Sequence, residues 1–198
     1  MSALIALDVA LLLPPAARQR AIELSRSIAA AARADAPSML RLDEDHLPHV
    51  TLTQQFVRAD ELDAVFEHVD EALRGQPPIP VRVTGGGKGS HAVWMSVDRS
   101  AEIIGLHERL MEALHGLERP GGTAAAFFEG DARVGDVAWV TTYRLKSSLG
   151  SYSPHVTVGY AAEPPEVTPF EFKATSVVAC HLGRFCACRA VLRSWDLA

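Results

Sequence analysis

A histidine and a threonine stand two residues apart twice in this chain, inside the same four-letter phrase: Pro48-His49-Val50-Thr51 and Pro154-His155-Val156-Thr157. An aliphatic residue follows each copy, Leu52 in the first and Val158 in the second. Both stretches read as β-strand, and side chains at i and i+2 of a strand share a face. Each copy therefore presents an imidazole beside a hydroxyl. Two such pairs facing one another make a site for a group with several oxygens, a phosphate above all. Free histidine ionises near ~6.5, so at neutral pH one ring can be neutral and the other protonated. The neutral ring takes a proton from attacking water and the protonated ring gives one to the leaving alkoxide, each positioned transfer contributing on the order of 10²–10⁴-fold. Thr51 and Thr157 donate to the non-bridging phosphate oxygens. The scheme calls for no cofactor and no metal ion. The plainer reading, two half-buried strands whose histidines and threonines are satisfied edge residues, does not account for repetition of the whole phrase.

The elements around the phrase repeat as well. Leu4 to Leu13 is a nearly continuous apolar run ended by Pro14-Pro15, which fits a strand buried on both faces. Pro15 to Ala34 carries Ala17, Ala21, Leu24, Ile28 and Ala31 at helical spacing, stopped by Asp35-Ala36-Pro37. The first motif strand, about His49 to Val57, follows. Asp60 is placed to cap a helix with Leu62, Val65, Phe66, Val69 and Leu73 on one face. Ile79 to Val83 and Ala92 to Val97 read as a hairpin with Gly85 to Gly89 as its turn. Ser100 caps a third helix, striped by Ile103, Leu106, Leu110, Leu114 and Leu117. Asp136 to Tyr143 reads as a strand and Arg144 to Ser153 as a polar loop. Then come the second motif strand, about His155 to Tyr160, and two further strands, Phe170 to Cys180 and Phe185 to Trp195. Strand, helix and motif strand thus occur in order twice. The expectation is an α+β fold of two similar lobes about a pseudo-twofold axis, residues 1–198 forming one domain with motifs at 49–52 and 155–158.

The 198 residues carry 48% hydrophobic and 22% charged side chains and a net charge of −5. No global field attracts a polyanion, so a small ligand or a nucleic-acid end suits the chain better than a long duplex. Cys180, Cys186 and Cys188 are odd in number and clustered, which is no disulfide framework and points to a reducing compartment. With His181 they also offer a zinc-type ligand set, beside the plainer reading of buried hairpin cysteines. The apolar start lacks a basic leader, carries Asp8 in its middle and is too short to span a bilayer. The expected location is cytoplasmic, with no membrane association and no obligate protein partner. Two further residues are candidates for substrate contact: Tyr152, three residues before His155, as an aromatic at the mouth of the site, and Thr53, two residues beyond Thr51, as an extension of the phosphate cradle.

His49-Val50-Thr51-Leu52 and His155-Val156-Thr157-Val158 resemble the paired His-x-Thr/Ser-hydrophobic motifs of the two-histidine (2H) phosphoesterase superfamily, and the chain is most similar to its bacterial 2′-5′ RNA ligase/cyclic phosphodiesterase branch. The resemblance implies a bilobal fold with the motif strands lining a central cleft. It implies metal-independent hydrolysis of 2′,3′-cyclic phosphates to 2′-phosphate products, on RNA ends or small cyclic nucleotides, and in some relatives the sealing or opening of 2′-5′ linkages. By the same resemblance His155 activates water and His49 protonates the leaving oxygen. The competing class is a module that binds a nucleotide or RNA end on this fold without turning it over. Thr123 to Ser151 is long for the connection that precedes the second motif.

Overall fold

The motif strands lie at the edges of two separate four-stranded antiparallel sheets. In chain order the strands are β1 (Leu4–Leu12), β2 (His49–Arg58), β3 (Ile79–Lys88), β4 (Ala92–Val97), β5 (His155–Tyr160), β6 (Phe170–Ala174), β7 (Ser176–Leu182) and β8 (Cys188–Asp196). One sheet runs β2-β1-β7-β8 and the other β5-β4-β3-β6. The helices are α1 (Pro15–Ala31), α2 (Leu62–Ala72), α3 (Ala101–Ala113) and α4 (Val134–Lys146). This computed structural model describes residues 2–31 and 40–198. The expected stop at Asp35 to Pro37 and the end of the first helix at Ala34 lie outside them.

The architecture is the α+β, two-lobed one that the sequence implied. The first sheet curls: Leu47, just ahead of β2, forms an antiparallel bridge with Cys188 at the start of β8. β1 is buried on both faces from Ala6 to Leu11, as a continuous apolar run requires. Leu7, Val9 and Leu11 enter the main core, whereas Ala6 and Ala10 point the other way into smaller clusters on the inside of the curl. Each lobe's helix packs on the other lobe's motif strand. α1, between β1 and β2, lies on β5, with Ile28 3.1 Å from where a Cβ on Gly159 would stand. α3, between β4 and β5, lies on β2.

Several readings are corrected. Asp136 to Tyr143 is part of α4, not a strand. Its β-branched and aromatic residues mimic a strand, but Asp136, Val140 and Tyr143 are buried at i, i+4 and i+7, one face of a helix. Gly85 to Gly87 are not a turn but the end of β3. A Cβ on Gly86 would stand 1.9 Å from the Pro165 carbonyl oxygen and one on Gly87 2.2 Å from Trp94 Nε1, so these glycines admit close neighbours across a strand. Phe170 to Cys180 is two strands, β6 pairing with β3 and β7 with β1 in the other sheet. Asp60 lies in a short 3-10 turn and caps no helix. Ser100 does cap α3, accepting the Ile103 N–H.

Candidate active site

Both motif strands carry the same irregularity. In the first sheet Thr51 pairs with Ala10 and Thr53 with Val9, so Leu52 is an extra, unpaired residue. In the second, Thr157 pairs with Trp94 and Gly159 with Val93, so Val158 is the extra residue. A bulge shifts the alternation of faces by one. It therefore groups Thr51 with Gln54 and Thr157 with Tyr160, and these four, with His49 and His155, line a single cavity of about 670 Å³. The same shift takes Thr53 out of the cavity. It is 1% exposed, and its hydroxyl has no hydrogen-bond partner among the described residues.

The proline in each phrase has a physical role that the spacing alone did not reveal. Proline fixes its own backbone and holds the preceding residue extended. His49 Nδ1 lies 2.8 Å from the Leu47 carbonyl oxygen, and His155 Nδ1 lies 2.7 Å from that of Ser153. Each ring donates its Nδ1–H to the carbonyl two residues back, across the proline. Both rings are thereby held in one orientation, with Nε2 left for chemistry.

The surroundings of the two Nε2 atoms differ. Asp8, wholly buried on β1, holds a carboxylate oxygen 3.4 Å from His49 Nε2. The same oxygen accepts from the Thr51 hydroxyl at 2.8 Å and from the Gln54 amide at 2.6 Å. Burial pulls the His49 pKa down, but the Asp8 carboxylate and the Leu47 carbonyl outweigh it and hold the imidazolium to about 9. At His155 burial again lowers the pKa; the Ser153 carbonyl opposes this and the charge of His49 adds to it, with a net shift below the ordinary histidine value that favours the neutral ring at neutral pH. Titratable groups driven apart in this way are the mark of an acid and a base. Thr51 spends its hydroxyl proton on Asp8, whereas among the described residues no carboxylate accepts from Thr157, whose hydroxyl faces the cavity.

Trp94 stands against the His155 ring at 4.9 Å between centroids, over the space that Gly87 leaves. The far wall comes from α4 and the turn before β8. Arg133 clasps Asp136, donates to the Tyr160 hydroxyl at 2.8 Å and lies 3.9 Å over the Phe185 ring. Asp136 also accepts the Phe185 N–H. Trp139, 43% exposed, donates its indole N–H to Gln54 and so ties α4 to the group around Asp8. The Tyr143 hydroxyl is buried at this wall without a partner among the described residues. Tyr152 lines the same cavity, from a buried position and not as an exposed aromatic at its mouth. It is 2% exposed, stacks on His107 at 3.7 Å and donates to the Thr51 carbonyl at 2.7 Å, a strut under the first motif. His107 itself bonds the carbonyl of the bulged Leu52 and accepts the Leu149 N–H. Sequence reasoning did not single out Asp8, Gln54, Trp94, Arg133, Trp139 or Tyr160 for the site. Only Asp8 left a signal, a lone carboxylate inside an apolar strand.

The family model described as the 2′-5′ RNA ligase superfamily matches residues 13–180. No curated protein matches the chain. Among solved structures, TT0787 of Thermus thermophilus is similar with a TM-score of 0.64 and 17% identity, covering 98% of each chain. E. coli LigT complexed with NADP+ has a TM-score of 0.60 at 18% identity, also covering 98% of both. A third structure, described as a phosphoesterase, has a TM-score of 0.58 at 18% identity over 98% of each chain. No helix among the described residues is long and apolar enough to cross a membrane.

Proposed function

The chain belongs to the 2′-5′ RNA ligase superfamily of two-histidine phosphoesterases, and from that premise we propose that it is a phosphodiesterase hydrolysing 2′,3′-cyclic phosphates, at an RNA 3′ end or on a small cyclic nucleotide, to 2′-phosphomonoesters. The observation that carries this reading is the unequal pair of imidazoles on one cavity, His49 beside Asp8 and His155 with no carboxylate partner among the described residues. His155 Nε2 takes a proton from water as the water oxygen bonds to phosphorus. The bond from phosphorus to the ribose 3′ oxygen breaks, and His49 gives its Nε2 proton to that oxygen. Thr157 donates to a non-bridging oxygen, and Thr51 holds Asp8 in place. The His49 imidazolium also offsets charge gathering on the phosphoryl group. No step requires a metal ion. Opening or sealing of 2′-5′ linkages uses the same two proton transfers with a ribose hydroxyl in place of water. In this reading residues 1–198 act as one domain, and the three free cysteines fit a cytoplasmic location.

The test is incubation of the protein with a 2′,3′-cyclic nucleotide in EDTA, followed by identification of the product. The expected product is the 2′-phosphate. Tight binding without turnover would replace the reading with that of a binding module, and complete loss of activity on chelation would remove the metal-free scheme.

A further inference from the structure

Asp8 and His49 have a third neighbour that the reaction does not use. A carboxylate oxygen of Asp8, a ring nitrogen of His49 and Sγ of Cys188 all lie within 4.8 Å of one another. We infer that these three residues bind a thiophilic divalent cation such as zinc, and that occupancy silences the site by taking His49 Nε2.

The donor set is oxygen, nitrogen and sulfur from three separate strands, brought together by the curl that bridges Leu47 to Cys188. Zinc bonds at ~2.0–2.1 Å to nitrogen and oxygen place those two ligand atoms ~3.4 Å apart in a tetrahedron. His49 Nε2 and the Asp8 oxygen stand at 3.4 Å. That separation is long for a charge-assisted hydrogen bond, which is shorter than ~3 Å, and right for a shared cation. A ligating histidine usually donates its other N–H to a carbonyl, and a ligating carboxylate is usually hydrogen-bonded in turn. His49 already does the first through Leu47, and Asp8 the second through Thr51 and Gln54. Oδ1 of Asp8 is buried with no hydrogen-bond partner among the described residues, an acceptor that a cation beside the carboxylate would satisfy.

Charge favours a divalent ion. The Asp8 carboxylate and a Cys188 thiolate cancel its two charges, so the buried site carries none in excess. On binding, the Cys188 thiol proton and the His49 Nε2 proton pass to solvent, while the Nδ1–H stays on Leu47. The cavity side supplies water as a fourth ligand, and the cation enters past His49, whose side chain is 13% exposed.

Cobalt titrated into the metal-free protein reports binding independently of turnover. A stoichiometric thiolate-to-cobalt absorption is expected, absent in Cys188→Ala and in His49→Ala. Zinc is expected to inhibit hydrolysis of a 2′,3′-cyclic nucleotide, with EDTA restoring it. Cys188→Ala should keep the basal rate and need about tenfold or more zinc for the same inhibition. Cys188→Ser serves the same comparison if the alanine variant does not fold. The inhibition arm rests on the proposed activity and the absorption arm does not. A protein that hydrolyses nothing yet shows the cobalt band loses only the former reading. Equal zinc sensitivity in the cysteine variants, or no cobalt band in the wild type, overturns the site.

Discussion

The first motif and the second are built alike and furnished differently. Each lies on an edge strand, each bulges just after its threonine, and each orients its histidine through the carbonyl before a proline. Superposing the two registers sets Ala10 of β1 against Trp94 of β4, Asp8 against Ala92, and Gln54 against Tyr160. The first lobe surrounds its histidine with a carboxylate and an amide; the second offers an indole and a phenol. The repeated phrase thus supplies two equivalent imidazoles, and the strand beside each decides which one holds a proton at neutral pH. In the proposed reaction the division of labour belongs to the neighbours of the motif, not to the motif.

Removing either ring breaks the comparison most severely. His49→Ala and His155→Ala should each lower kcat by about two orders of magnitude or more with the circular dichroism spectrum unchanged, and His49→Ala should also melt earlier, because it leaves the buried Asp8 without its partner. Wild-type turnover in either variant would end the two-histidine scheme.

Asp8→Ala makes the first lobe resemble the second. Activity depends on a protonated His49, so the wild-type rate should persist until pH nears about 9. In the variant burial acts unopposed by the carboxylate, so this alkaline limb should fall to ~6.5 or below, with a loss of about thirtyfold or more at pH 8. Stability follows the same group. Its raised pKa stabilises the fold fully below ~6.5, and that contribution, about 3 kcal/mol, is lost as pH rises through about 9. Urea midpoints at pH 6 and pH 10 should differ less in Asp8→Ala than in the wild type. An unmoved alkaline limb would mean that Asp8 does not set the state of His49.

The reciprocal change, Ala92→Asp, gives the second lobe its own carboxylate. Its expected effect is to raise the His155 pKa from below the ordinary histidine value, shifting the acid limb of the profile to higher pH and slowing turnover about tenfold at pH 7. A faster variant would reverse the assignment of acid and base. The smallest effect is expected at Tyr152→Phe, which should cost about 1 kcal/mol in chemical denaturation and leave kcat unchanged. A large fall in kcat would restore a substrate role to that hydroxyl.

The parts of the fold that could be read from sequence were those where one pattern has one structural solution. A continuous apolar run gave β1, amphipathic stripes gave α2 and α3, and Ser100 announced its helix. α4 was misread because Val134, Val137, Val140, Thr141, Thr142 and Tyr143 favour strands individually, while its burial against the core follows a helical period. The division between β6 and β7 was visible in retrospect. Phe170 to Ala174 alternates, as a strand with one wet face does, and Ser176 to Leu182 is nearly continuously apolar, as a strand covered on both faces is. The histidines and threonines of the site could be found because they are local in sequence. Asp8 and Gln54 reach them through strand register and a bulge and Trp139 through the packing of α4, and only the lone carboxylate inside an apolar strand left a trace in the sequence.

The exchange of helices between lobes has a consequence for how the chain reaches this state. β1 is flanked by β2 and by β7, and Leu7 pairs with His181. α1 finds its bed only when β5 exists. Contacts so distant in sequence demand closure of large loops before they stabilise anything, which slows folding. An apolar strand made early therefore waits for partners made late. During synthesis β1 emerges well before β7, and a chain cut short ahead of β7 leaves it with an unpaired edge open to aggregation.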